Sequence, residues 1–437
     1  MEIIIAGAGS VGFRLAKVLS LRHNVVIMDR NTEALEKLKE SIDVLPIAGN
    51  VQDPDAYEPL SGREFDLFIA VTDIDEVNLI AAGVAVEKLR AARKIVRLSH
   101  TFFSRSTIAQ RLAVEHAVFP HILTAESVRS LLDQPKANNV KSFPGTEMKL
   151  VSVKADFHHG VKGMAVSQVE SRNLAVIGIE RKKNYHLPSA SAEIRQDEMV
   201  YLFGAEEAIR EQCGRLNHAM PRSIRNIVIF GAGSLGIEIA LKLAERDTVI
   251  KLVEKDLECC RGAAERLQGK AMVINSKYGD SRLYRDEGLG HAEMMIAATP
   301  NDEENIIKCI EAREHGVGKV VAINNDIAYY HLMHALGIIV VRGPKVNAFY
   351  SILEIIGSSA VVNEKLFCGG AAICFLRHFS AARPGIEAPK HRMFAVYRVR
   401  GGQIETVEVA DAEVGDAVVL VCDRAHEEEG RAWINTL

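Results

Sequence analysis

Two segments of this chain carry glycines at a spacing suited to holding a phosphate against the backbone. They are Gly7-Ala8-Gly9-Ser10-Val11-Gly12, after the apolar run Ile3-Ile4-Ile5-Ala6, and Gly231-Ala232-Gly233-Ser234-Leu235-Gly236, after Ile227-Val228-Ile229-Phe230. Gly7 and Gly231 permit a tight turn off a strand. Gly9 and Gly233 let a pyrophosphate approach the main chain, and Gly12 and Gly236 let the next helix pack closely on the sheet. Unpaired N–H groups and the positive end of the helix dipole then face the anion. Each glycine set is followed by a second apolar strand ending in an acid, at Val25-Val26-Ile27-Met28-Asp29, with Arg30 next, and at Thr248 to Glu254. Asp29 and Glu254 are placed to accept hydrogen bonds from an adenosine ribose. A carboxylate there repels a 2′-phosphate, so NAD(H) is favoured over NADP(H). One such glycine set is a weak signal; two, each with its acid, point to a dinucleotide site used twice.

The elements that must position these residues alternate. Apolar periodicity predicts a strand at Ile3 to Ala6, a helix from Ser10 to about Leu21 and a strand at Val25 to Met28. A helix over Thr32 to Ser41, a strand at Val44 to Ile47 and a helix near Asp55 to Leu60 follow. The segment closes with a strand at Leu67 to Val71, a helix over Glu76 to Leu89 and a strand at Lys94 to Leu98. Strand and helix in turn with short links specify an α/β fold with a doubly wound parallel sheet. Asn226 to about Asn324 repeats the order, and Thr72-Asp73-Ile74-Asp75-Glu76-Val77-Asn78 is answered by Thr299-Pro300-Asn301-Asp302-Glu303-Glu304-Asn305. After each block the pattern turns to strands and a final helix: Leu150 to Val153, Leu174 to Glu180, Asp197 to Phe203 and Ala205 to Leu216, then Phe394 to Val399, Gly415 to Val421 and Glu427 to Asn435. The chain is a tandem duplication, with turn-rich links at Gln134 to Gly145, Asn217 to Ser223 and Gly357 to Glu364.

With 437 residues, 48% of them apolar and 25% charged, the chain has the composition of a soluble multidomain protein. A net charge of −4 gives no general attraction to nucleic acid or anionic lipid. No helix-turn-helix or winged module is evident, which disfavours a redox-sensing transcription factor. No apolar stretch reaches the ~18 to 20 residues that span a bilayer, so the expected location is cytoplasmic. Seven cysteines without a CxxC fit a reducing compartment. His158-His159 and His331 with His334 lack companions at metal-ligand spacing, and the expected reading is no metal.

On these residues the chain resembles the TrkA family, the cytoplasmic regulatory subunits of Trk-type potassium uptake systems, in which two RCK N-terminal domains alternate with two RCK C-terminal domains. The likeness rests on Gly7 to Gly12, Asp29, Gly49, the Thr72 to Asn78 stretch and Gly415-Asp416. It implies nucleotide-binding domains at 1–125 and 224–345, and small α+β domains at 145–217 and 360–437, the last shortened around Leu376 to His391. It implies NAD(H), and in related members ATP or ADP, at the switch point of each large sheet. It also implies a homo-oligomer, a dimer or tetrameric ring, lying peripherally beneath a membrane-embedded Trk-type potassium transporter. Carried over by position, Gly49-Asn50 lies by the adenine, where the family pattern has Gly-Asp. Thr72, Asp73 and Asn78 fall near the nicotinamide half, and Arg97 faces phosphate. The second copy keeps Glu254, Gly279-Asp280, Thr299 and Asn305 but has Ala322 in place of Arg97, which implies tighter binding in the first copy. The helical segment Thr101 to Leu132, apolar at helical spacing, and its counterpart Ala328 to Ile356 read either as intramolecular core or as an interface, since the equivalent helix crosses to a neighbouring subunit in such proteins.

The rival reading is an NAD-dependent dehydrogenase. Such an enzyme couples a cofactor domain to a substrate domain carrying a proton-transfer group. Here both large domains read as cofactor domains and the small ones show no such constellation, so no catalytic residue is expected.

Overall fold

The computed structural model describes residues 1–143, 145–158, 160–182, 184–277, 282–357, 362–379, 382–387, 389, 393–406 and 409–437. Two compact units divide the chain, Met1–Ala125 with Arg342–Gly357, and Glu126–Val341 with Ser358–Leu437.

The first unit runs β1 (Glu2–Ala6), α1 (Ser10–Leu19), β2 (Asn24–Asp29), α2 (Thr32–Ser41), β3 (Leu45–Ala48), a 3-10 turn at Pro54–Leu60, β4 (Glu64–Ala70), α3 (Asp75–Lys88), β5 (Arg90–Arg97), α4 (Ile108–Arg111) and β6 (His116–Val118). The strands lie in the order β3-β2-β1-β4-β5-β6 and pair in parallel. Both faces are covered, which is why the strands read as unbroken apolar runs rather than alternating ones. Ile3 and Ile5 turn to the face carrying α1, while Ile4 and Ala6 pack with Leu79, Ala81 and Ala85 of α3 on the other. Strand order reverses between β1 and β4, and at that switch point a crevice opens beyond the carboxyl ends of the strands.

Helix α5 (Pro120–Asp133) leads out of this sheet. The second unit holds β7 (Asn139–Ser142), β8 (Lys149–Lys154), β9 (Gly163–Ala165), β10 (Leu174–Arg181), β11 (Asn184–His186), β12 (Glu193–Arg195), β13 (Met199–Gly204) and α6 (Glu206–Leu216). The repeated nucleotide-binding block follows: β14 (Asn226–Phe230), α7 (Ser234–Leu243), β15 (Val249–Glu254), α8 (Leu257–Leu267), β16 (Met272–Asn275), α9 (Arg282–Asp286), β17 (Met294–Ala297), α10 (Asp302–Glu314), β18 (Lys319–Asn324), α11 (Tyr330–Ala335) and β19 (Ile339–Arg342). Its sheet order, β16-β15-β14-β17-β18-β19, copies the first.

The crossover helices are exchanged between the two copies. Glu126 of α5 pairs with Lys242 of α7 at 2.7 Å, and Asp133 with Arg246 at 2.7 Å. The buried Lys319 amino group on β18 donates to the carbonyls of Leu131, Pro135 and Ala137 at 3.4, 2.6 and 3.1 Å, capping the end of α5. In the first unit α12 (Pro344–Gly357), which follows β19, buries Ala348, Phe349 and Ile352 against Val11 and Leu15 of α1. The helix expected to cross to a neighbour thus finds its neighbour within the same chain.

The tail comprises β20 (Val362–Phe367), β21 (Ala372–His378), β22 (Arg383–Glu387), β23 (Phe394–Arg400), β24 (Gln403–Thr406), β25 (Val409–Ala412), β26 (Ala417–Asp423) and α13 (Glu427–Thr436). Its five-stranded sheet, β20-β21-β26-β23-β24, matches β7-β8-β13-β10-β11, and β22-β25 matches β9-β12. The expected shortening therefore costs the tail no strand. Strands β7 and β20 fall in segments that read as links. The two small modules share one apolar core in which Phe143, Tyr201 and Phe203 meet Phe367, Tyr397 and Val419. Among the described residues no helix is long and apolar enough to cross a membrane.

Candidate functional site

At the end of β1 the backbone turns on Gly7, whose φ of +112° is open to glycine and strained for other residues. Its N–H donates to the Met28 carbonyl at 2.9 Å, so the turn is tied to β2. A Cβ on Gly12 would sit 1.8 Å from the Gly7 carbonyl oxygen, so the third glycine is set by the approach of α1 to the turn. Gly9 differs. Its φ of −67° and ψ of −174° suit any residue, and a Cβ there meets nothing within 4 Å. No protein contact demands glycine at position 9, and the residue borders open space.

That space is a cleft of about 310 Å³. Of the residues picked out in sequence, Gly7, Gly9, Ser10, Val11, Asp29, Arg30, Gly49, Asn50, Thr72, Asp73 and Arg97 line it, with Asn31, Val51, Gln52, Val71, Ile74, Val77 and Lys345. Asp29 accepts from the Ala8 N–H at 2.6 Å and the Asn31 N–H at 2.8 Å, so one carboxylate holds the glycine turn and the start of α2 at the cleft edge. Gly49 donates to the Asp29 carbonyl at 3.0 Å, and a Cβ there would lie 2.9 Å from that of Ala56. Asn50 Oδ1 accepts from the Gln52 N–H at 3.1 Å, which fixes the loop under the cleft.

Asn78 is not among the lining residues. It is fully buried and works as a clasp, its Oδ1 accepting from Thr72 N–H and Oγ1 at 2.8 and 2.7 Å. Its Nδ2 donates to the carbonyls of Thr72 and Arg97 at 3.0 and 2.8 Å, which ties the β4–α3 loop to the end of β5. Asp75 reinforces this by accepting from the Ser99 and His100 N–H groups at 2.7 Å each. The clasp sets Arg97, a buried guanidinium lining the cleft. Its Nη1 meets the exposed Asp73 carboxylate at 2.9 Å, while its Nε has no hydrogen-bond partner among the described residues. An unsatisfied buried donor of this kind is costly without a guest acceptor.

The second copy repeats the frame. Gly231 has φ +103°, a Cβ on Gly236 would lie 1.8 Å from the Gly231 carbonyl oxygen, and Gly233 is open; Ser234 and Leu235 begin α7. Asn305 clasps Thr299 and the Ile323 carbonyl as Asn78 clasps Thr72 and that of Arg97. That bond, with the pairing of Ala297 to Ala322 against Ala70 to Val96, shows that Ile323, not Ala322, occupies the place of Arg97. The charge is absent as expected; the match shifts by one residue. Glu254 is buried and accepts from Ala232, Lys255 and Asp256 N–H groups at 2.8, 2.8 and 3.0 Å, one amide more than Asp29 holds. Burial raises the Asp302 carboxyl above its ordinary range, against the pull of the Asn325 and Asp326 amides. Gly279 and Asp280 lie outside the described residues.

Among the described residues no three metal-ligating side chains cluster. His158 stacks on His218 with centroids 3.6 Å apart; His159 and the side chains of His331 and His334 lie outside what is described.

The family model for the TrkA-N domain matches residues 3–120 and again 227–344. The chain belongs to the TrkA family. The Trk system potassium uptake protein TrkA of Halomonas elongata is 30% identical over 85% of this chain and 82% of its own length. The protein of that name from Vibrio alginolyticus is 26% identical over 96% and 90%. Among solved structures, the GsuK RCK domain superposes with a TM-score of 0.63 over all of this chain and 95% of its own, at 16% identity. The GsuK channel bound to NAD gives 0.62 over 100% and 79%, at 15%. These two likenesses establish the fold, tandem RCK domains with Rossmann-like sheets.

Lys345 was not identified from sequence. It stands 248 positions after Arg97 (345 less 97) and enters the first cleft because α12 crosses to α1. The available signal was a cation directly after Gly343-Pro344, in a helix whose family counterpart reaches across to a neighbour.

Proposed function

We propose that this TrkA-family chain is a cytoplasmic regulatory subunit that binds NAD(H), with ATP or ADP as competing adenine nucleotides, and gates a membrane potassium uptake transporter. The observation that carries this reading is the first cleft, lined both by the open Gly9 and by a buried Arg97 with an unsatisfied Nε. In it the Gly7 to Gly12 turn holds the pyrophosphate, Asp29 and Arg30 meet the ribose, and Gly49-Asn50 lies by the adenine. Glu254 and the Gly231 to Gly236 turn serve the second site, where Ile323 makes binding weaker. That the relatives carry the names of potassium uptake proteins supports a sensing role over a dehydrogenase. The names of the relatives, Trk system potassium uptake proteins, support the transporter as partner.

A nucleotide gates by binding one conformation more tightly than another. Co-purifying the chain with its membrane partner and measuring potassium flux with NAD+, NADH, ATP and ADP tests this. Nucleotide-dependent flux that Gly9→Val removes is the expected result. Flux indifferent to every nucleotide, or steady NADH oxidation by the protein with metabolite pools, overturns it.

A further inference from the structure

We propose that Lys345, contributed by the second half of the chain, is a phosphate-binding residue of the first site. A nucleotide there then clamps α12 onto α1. The proposal rests on reading that cleft as a nucleotide site.

The start of α12 is held by interactions that ignore any ligand. Buried Thr124 donates from Oγ1 to the Arg342 carbonyl at 3.2 Å, and Asn347 Nδ2 donates to Thr124 Oγ1 at 2.8 Å and to the Arg342 carbonyl at 2.9 Å. The Arg342 guanidinium stacks over Tyr350 at 4.2 Å. With Ala348, Phe349 and Ile352 buried against α1, the first turn of α12 is set in place and its exposed Lys345 lines the cleft.

Three cations then line the cleft, Arg30, Arg97 and Lys345, against the two carboxylates Asp29 and Asp73. Asp29 is occupied by backbone amides, and Asp73 by Arg97. The Arg97 Nε is a second, independent sign that an anion belongs here. A lysine ammonium is a compact point charge on a long stem, suited to phosphate oxygens at a rim. The ligand class is an adenine nucleotide with at least a diphosphate. Such a ligand touches α1 through the glycine turn and α12 through Lys345, so its affinity depends on their being together. The corresponding position in the first copy is His121, after Pro120, so the two sites differ in this cation as well.

The test uses the full chain carrying Gly233→Val, which closes the second cradle, titrated calorimetrically with NADH and with ADP at low and high salt. Lys345→Ala is expected to weaken binding by about tenfold or more and to flatten the salt dependence, with Lys345→Arg restoring most of both. Hydrogen exchange in residues 342–357 should slow on adding ligand to the parent and not to Lys345→Ala. If Lys345→Ala binds as the parent does with the same salt dependence, while Gly9→Val abolishes binding, the role of Lys345 is overturned and the site stands. If Gly9→Val also binds normally, the site itself falls and this proposal with it.

Discussion

The three glycines of the first turn are there for three different reasons, and Gly12→Ala and Gly9→Val separate two of them. In Gly12→Ala the new Cβ meets the Gly7 carbonyl oxygen at 1.8 Å, so α1 must retreat by more than 1 Å from a turn already fixed at φ +112°. Overpacking costs ~1 to 3 kcal/mol where side chains can yield. Here the obstacle is main chain, and about 3 kcal/mol or more is expected. In Gly9→Val the backbone angles suit valine and no atom lies within 4 Å of the Cβ, so the folding cost is about 1 kcal/mol, from the weaker helix N-cap. Trp433, the single tryptophan, reports the second unit, so the first is better followed by hydrogen exchange of β1 and β4 amides. Gly12→Ala should speed that exchange by about a hundredfold, using ~1.4 kcal/mol per factor of ten. Gly9→Val should raise it by about fivefold and remove nucleotide binding to the first site. Parent-like exchange in Gly12→Ala, or parent-like affinity in Gly9→Val, would refute the assignment of packing to one glycine and ligand access to the other.

Asn78→Ala leaves buried groups of Thr72 and Arg97 unpaired and should cost about 2 to 3 kcal/mol in denaturant unfolding; a residue that merely touched ligand would leave stability alone. Asp29→Ala removes the acceptor for the Ala8 N–H and, on the proposed reading of the cleft, a ribose contact, so calorimetry should show NADH weakened about tenfold or more and the bias against NADPH reduced. Burial holds the Lys319 amine down at about 7, below its unfolded value near ~10.4. The unfolded chain then binds more protons between those values, so the second unit gains stability as pH rises from about 7 to 10, by at most ~1.4 kcal/mol per pH unit. Denaturation followed by Trp433 fluorescence should show that rise in the parent and lose it in Lys319→Met.

The parallel sheets were legible because the strands are apolar on both faces and the glycines punctuate them at the first turn. Asp29 and the lining glycines were legible for the same reason: their chemistry is local to one strand–turn–helix. The clasp role of Asn78 is not legible, because a polar residue in the first turn of a helix at the end of a strand looks alike in sequence whether it faces a cleft or ties two loops together. The match of Arg97 to Ala322 slipped by one because Val320 to Ile323 is uniformly apolar and offers no marker of register; the Asn305 bond supplies it. Short strands such as β11 and β12, three residues each, carry too little pattern to detect. Lys345 depends on tertiary crossing, which no local period encodes.

The exchange of α5 and α12 has a consequence for how the two sites can diverge. In a symmetric pair built from one short gene, every substitution appears twice, so a gain at one cleft is imposed on the other. Joining the copies in one reading frame lifts that constraint. Arg97 can stand where its twin is Ile323, and Lys345 where its twin is His121, without either change being copied. The covalent link thereby permits one cleft to specialise as a receptor while the other is kept for its framework, an asymmetry no dimer of identical chains can inherit.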